Sequence, residues 1–176
     1  MEEHMAECKH RMVPCPSSAC TSNMLLNNVS EHMKVHRALT GAELRLKVVH
    51  KAVTRNMNSE VLLPMSPYKN NANCNWVTMV FEVKGQQFYL QCLSRDKVFM
   101  AWVMVKGGRK EAARWRATIS VRHPKKIVTS ESDVFPIDMT TEEIINFGDC
   151  FFMVDKELVK FHTSDEMPLN ISLVKV

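Results

Sequence analysis

Two cysteines and two histidines lie close together near the start of the chain, in the stretch CPSSACTSNMLLNNVSEHMKVH: Cys15, Cys20, His32 and His36. Thiolate and imidazole are the ligands that a structural zinc ion takes, four at a time in a tetrahedron. Four residues separate the cysteines, eleven separate Cys20 from His32, and three separate the histidines. Cys15 and Cys20 on a tight loop can aim two sulfurs inward. NNVSEHMKVH reads as a short helix with Asn28 as N-cap and Glu31 at N3. On that helix His32 and His36 are i and i+4, stacked on one face, so both rings reach a single ion. The spacing lies close to the general Cys2His2 pattern. Structural zinc is the expectation; the plainer alternative is a surface helix with two solvated histidines and two free thiols. Three residues separate His4 from Cys8, and the pair looks like the closing half of another such site, although chance explains it better when it is taken alone.

The elements that must hold these ligands change character near residue 37, giving a ligand-rich region over 1–37 and a β-rich domain over 38–176. Beyond the boundary LRLKVV (Leu44–Val49), NWVTMVFEV (Asn75–Val83), QQFYLQCL, KVFMAWVMV, ARWRATISVR, CFFMV, LVKF and LNISLVKV read as strands. Lys84-Gly85 between the second and third of these predicts a hairpin. In ARWRATISVR, Trp115, Ala117, Ile119 and Val121 fall on one face. LLPMSPYKNNANCN, with its prolines and asparagines, predicts a loop or an irregular edge. DMTTEEIINFG predicts a helix with Thr140 as N-cap, Glu143 at N3, a Met139–Ile144 staple and Gly148 as the stop. Seven or eight short strands with one short helix suggest an antiparallel β-sandwich.

Composition narrows the function. The 176 residues are 45% hydrophobic and 24% charged, enough for one ordinary domain plus a small attachment. No run of eighteen apolar residues occurs, so no membrane contact is expected. MEEHMAECKH lacks the apolar segment of a secretory signal. A reducing compartment is expected, the cytoplasm and by extension the nucleus, where paired cysteines serve metals more often than disulfides. Cys74, Cys92 and Cys150 stand alone in apolar stretches and read as buried, inert thiols. The formal charge of +4 is scattered, and RHPKK (Arg122–Lys126) reads as a solvated turn rather than a phosphate patch. Thirteen methionines read mostly as core filler. Gly-rich phosphate loops, GxSxG and HExxH are absent, so no catalytic residue is expected within the chain.

Taken in order, these segments resemble the seven-in-absentia (SIAH-type) family of ubiquitin ligases, over its second zinc finger and its substrate-binding domain. His4, Cys8, Cys15, PSSA, Cys20, His32 and His36 follow the family's linked fingers, with a shorter loop between the cysteines and a final histidine pair one residue closer. NWVTMVFEV, GQQFYLQCL, GGRKEAARWRATI, GDCFFMV and LNISLVKV fall in the family's order, GGRKEAARWRATI being the most specific. The resemblance implies a mainly β, TRAF-like (MATH-like) sandwich that forms a homodimer and binds extended degron segments of substrate proteins for proteasomal degradation. It implies a peptide edge around Thr40, Asn75, Trp76, Val77, Thr78 and Asn170, with Trp76 reading equally as core and Asn170 equally as the cap of a strand end. Asn75 replaces the family's acidic residue and Thr78 its methionine, so the degron preference is expected to differ. It implies zinc at Cys15, Cys20, His32 and His36, and an incomplete first-finger site at His4 and Cys8.

In the family a RING recruits the ubiquitin-charged E2. No series of CxxC pairs precedes His4, so this chain by itself is not expected to transfer ubiquitin. Two other readings compete. One is a TRAF-like adaptor with no ubiquitin role. The other is a nucleic-acid-binding finger, which the sparse display of Asn28, Ser30, Glu31, Lys34 and Arg37 disfavours.

Overall fold

The chain is described by a computed structural model that covers residues 8, 10–17, 20–40, 56–65, 73–76, 78–123, 126–154, 157 and 166–176. The expected strands at Leu44–Val49 and Leu158–Phe161, together with His4 and Val77, lie outside the described residues.

The structure is mainly β, with antiparallel sheets and a few short helices. A small hairpin, β1 (Met12–Pro14) with β2 (Asn23–Leu25), leads through a 3₁₀ turn at Leu26–Asn28 into helix α1 (Val29–Thr40). One sheet then follows the order β3 (Asn56–Pro64), β12 (Glu166–Lys175), β8 (Trp115–His123), β9 (Lys126–Asp133), all antiparallel. The other is centred on β6 (Gln86–Arg95) and β7 (Val98–Val105). On the β6 side it carries β4 (Cys74–Asn75) and β5 (Met79–Val83). On the β7 side it carries β10 (Phe135–Pro136), parallel, and β11 (Phe151–Val154), antiparallel. Helices α2 (Arg109–Ala112) and α3 (Thr141–Phe147) lie in the connections.

Alternation decides what lies between the sheets. Phe88, Leu90, Cys92, Phe99, Ala101, Val103 and Val105 point inward from β6 and β7 and meet Ala117, Ile119, Val121, Leu169, Ile171 and Leu173 from the other sheet. Trp115 joins this core and stands edge-on to Phe88, with ring centroids 4.9 Å apart. The alternate residues of the same two strands, Tyr89, Leu93, Met100, Trp102 and Met104, form a second core with Val13, Leu26, Val29, Met33, Phe135, Ile137 and Ile144. Strands β6 and β7 are therefore buried on both faces, which is why their sequences read as nearly continuous apolar runs. Each side chain of this size that is fully buried contributes roughly 1.5–3 kcal/mol. The ligand-bearing N-terminal unit is thus packed against the domain that follows it.

Several local expectations meet their physical cause. Thr140 accepts from the Glu143 backbone while the Glu143 carboxylate accepts from the Thr140 backbone, and Gly148 closes α3 in the left-handed region at φ 79°. Lys84 and Gly85 both have positive φ between β5 and β6, the twist that a two-residue hairpin needs. Asp96 and Lys97 repeat that turn between β6 and β7 without any glycine, so no glycine marks it in the sequence.

Other expectations are corrected. Asn28 does not cap α1, because the chain enters that helix through the 3₁₀ turn, whose own N-cap is Leu25 with no side-chain bond; Glu31 instead accepts from Lys34 at 2.6 Å. LLPMSPYKNNANCN is not wholly a loop, since Leu62–Pro64 end β3 and Cys74–Asn75 form β4. Pro64 is tolerated there because β3 is the outer strand of its sheet as described. The strand expected over Asn75–Val83 is broken between Asn75 and Met79. Strand β9 and helix α2 have too little periodicity to stand out in the sequence.

Candidate metal centre

The knuckle between β1 and β2 is folded by its own backbone. Cys15 N–H donates to the Ser22 carbonyl at 2.9 Å, and Cys20 N–H donates to the Ser17 carbonyl at 2.9 Å. These bonds place both cysteines at one end of the hairpin, facing α1. Val29 and Met33 on α1 are buried in the second core, which rotates the face carrying His32 and His36 toward the knuckle. Packing against the sandwich therefore aims the histidines, and the hairpin aims the cysteines.

The four side chains converge. Cys15 Sγ lies 3.3 Å from His36 Nε2, and Cys20 Sγ lies 3.5 Å from His32 Nε2. The two Nε2 atoms are 2.9 Å apart, and the rings stand edge to face at 82°. One ligand atom from each of the four residues falls within 4.8 Å of all the others. Around an ion with Zn–S bonds of about 2.3 Å and Zn–N bonds of about 2.0 Å, neighbouring sulfur and nitrogen ligands stand about 3.5 Å apart. The residues thus fit a tetrahedral metal ion, zinc included, without singling zinc out. Cys8, half-buried, is not part of the group; it offers its carbonyl to Arg11.

The electrostatics of the two thiols differ. Burial pushes Cys15 up to about 12, and the neighbouring Cys20 sulfur adds to the rise, while the Ser17 N–H, 3.4 Å away, opposes it. Burial also raises Cys20, but hydrogen bonds from the Ser22 side chain and backbone, and from His32 and Cys15, outweigh it and bring Cys20 to about 6. Near neutral pH the pair holds one thiolate, on Cys20, with the proton kept on Cys15. A second thiolate so close needs a cation, and a bound metal would supply it. Ser17 and Ser22 are second-layer donors that the ligand spacing did not reveal; their sequence signal is the serine that follows each cysteine by two residues.

The remaining thiols are buried to different degrees. Cys92 and Cys150 are buried and Cys74 partly so. Burial raises all three, Cys74 to about 11 and Cys150 to about 12.

The expected peptide-edge residues do not form one surface among the described residues. Asn75 is exposed on β4. Trp76 is buried against Phe99, and its Nε1–H donates to the Pro64 carbonyl at 2.8 Å. Thr78 is buried beneath the knuckle and donates to the Pro16 carbonyl at 3.4 Å. Asn170 belongs to the other sheet, on β12 between Glu60 and Ser120. Thr40 is the last residue of α1. The seam between the N-terminal unit and the sandwich has no signal in the sequence. Arg11 donates to the carbonyls of Cys8 and Gly107, and pairs with Asp138 at 3.2 Å.

No protein-family model matches this sequence, and no curated protein does.

Proposed function

We propose that this chain is a protein-recognition module of the seven-in-absentia type. In this reading, zinc at Cys15, Cys20, His32 and His36 fixes a finger against a TRAF-like sandwich, and the sandwich binds an extended segment of a target protein. The observation that carries the reading is the β4–β5 margin. Both strands pair with β6 on one side, and among the described residues no strand pairs with their other side. Such an edge recognises peptides by adding them as a further strand, with main-chain hydrogen bonds supplying affinity. Asn75 stands exposed at its start.

The family reading adds a homodimer and a link to ubiquitin-dependent degradation, with E2 recruitment left to a RING. An adaptor without a ubiquitin role uses the same edge. Nucleic-acid reading by α1 is disfavoured, because Val29 and Met33 of that helix are committed to the sandwich core.

The test is to select random peptides on the metal-loaded protein and to map the best binder by backbone amide shifts. Shifts concentrated on Cys74–Val83 support the proposal. Shifts confined to another strand, or no peptide enriched at all, would sink it. Sedimentation of the same sample reports the dimer, and metal content per chain reports the ion.

A further inference from the structure

A second, polar site lies where the finger meets the sandwich. Glu82 on β5 is paired across the sheet with Gln87 on β6. Lys106, just past β7, donates its backbone N–H to the Gln87 carbonyl at 2.9 Å. The three residues form one row across three strands. Leu26 and Asn27 of the finger and Gly85 and Gln86 of the hairpin wall that row into a cavity of about 260 Å³.

The hydrogen bonds fix which polar atoms remain for a ligand. Ser30 Oγ donates to Gln87 Oε1 at 2.7 Å, and the Tyr89 hydroxyl donates to the same oxygen at 3.4 Å. The Gln87 oxygen is therefore occupied, and its Nε2 protons have no acceptor among the described contacts. Lys106 Nζ donates one proton to Ser30 Oγ at 2.9 Å and meets no carboxylate among the described residues. Gln86 is fixed at the rim, its Nε2 donating to the Lys106 carbonyl at 2.8 Å. Burial holds the Lys106 ammonium below its ordinary range, as desolvation does to a partly buried cation.

We propose that this cavity binds a dipolar group, with a carboxylate held between Lys106 Nζ and Gln87 Nε2 and a cationic end near Glu82. Two adjacent donors match the two oxygens of a carboxylate. The facing carboxylate of Glu82 makes the row neutral in sum, so a dianion such as phosphate gains little there, while a zwitterion satisfies both ends. The shared chemistry has two sources: a free amino-acid-like molecule, or adjacent acidic and basic residues on a peptide. Because Leu26, Asn27 and Ser30 belong to the finger, a ligand here would also brace the finger against the sandwich.

The test uses the full metal-loaded chain and follows the Gln86 and Gln87 side-chain amides by NMR. Four probes are titrated: glycylglycine, the blocked peptide acetyl-Glu-Lys-amide, succinate and inorganic phosphate. At least one dipolar probe is expected to bind about fivefold or more tightly than succinate or phosphate, the worth of one partly desolvated ion pair. Whichever dipolar probe binds more tightly names the source. Lys106→Gln is expected to lose that preference. Equal binding of succinate or phosphate, or no shift with any probe, overturns the proposal. The comparison among probes is made on the parent protein, so it stands even if the variant folds poorly.

Discussion

Arg11 on the finger and Asp138 in the turn before α3 meet at 3.2 Å, and Arg11 simultaneously holds the carbonyls of Cys8 and Gly107. One nearly buried guanidinium thus ties the segment before β1 to two separate connections of the sandwich. A finger meant to read an extended nucleic acid by itself has no need of such a tie. Here the ligand-bearing unit and the sandwich are parts of one packed body.

Arg11→Ala is expected to lower stability by about 2–4 kcal/mol, because it leaves carbonyls and a half-buried carboxylate without their donor. Asp138→Ala should cost about 1–3 kcal/mol, because it leaves the nearly buried Arg11 guanidinium without its counter-ion, though still bonded to two carbonyls. The double variant should be no worse than Arg11→Ala. Urea unfolding measures all three, and strictly additive losses would show that the two residues do not act together.

On the proposed reading, removing a metal held by Cys15, Cys20, His32 and His36 should unseat the N-terminal unit. Cys20→Ser, or chelation, uncovers the face that carries Tyr89, Met100, Trp102 and Met104. The melting temperature should fall by more than about 10 °C, given that structural sites contribute on the order of 10 kcal/mol in isolated fingers. Emission from Trp102 should shift to the red while Trp115 stays buried between the sheets. Unchanged emission and melting after complete metal loss would refute a structural role.

Metal affinity should depend on pH through the thiols in two regimes. Cys20 is depressed to about 6 and is already ionised above that pH; Cys15 is raised to about 12 and keeps its proton below it. Raising pH therefore favours binding throughout. From about pH 6 upward the thiols release about one proton per metal, from Cys15; below about 6 they release about two. Calorimetry in buffers of different ionisation enthalpy counts them. A thiol contribution of two protons at pH 8 would contradict the division between the cysteines.

The ends of α3 are separately testable. Thr140→Ala removes the capping hydroxyl and should cost about 1 kcal/mol. Gly148→Ala places a side chain at φ 79° in open space, so its cost, also about 1 kcal/mol, is backbone strain alone. Each should lower the melting temperature by about 2–4 °C. A stabilising Gly148→Ala would mean that α3 does not end there.

The sequence by itself picked out Cys15, Cys20, His32 and His36 as a group that could hold a metal ion, because i and i+4 histidines and knuckle cysteines are local geometry. It also determined the α3 caps, the Lys84-Gly85 turn and the inward face of β8, where alternation is clean because only one face is buried. Tertiary structure decided the rest. Strands β6 and β7 are covered on both sides, so their runs could not say what lies on each face. Trp76 and Thr78 looked like candidates for a binding edge, yet one donates to Pro64 and the other lies under the knuckle at Pro16. The Arg11 clamp and the Glu82–Gln87–Lys106 row join residues far apart in the chain. No local pattern records such pairs; only the docking of finger on sandwich brings them within hydrogen-bond reach.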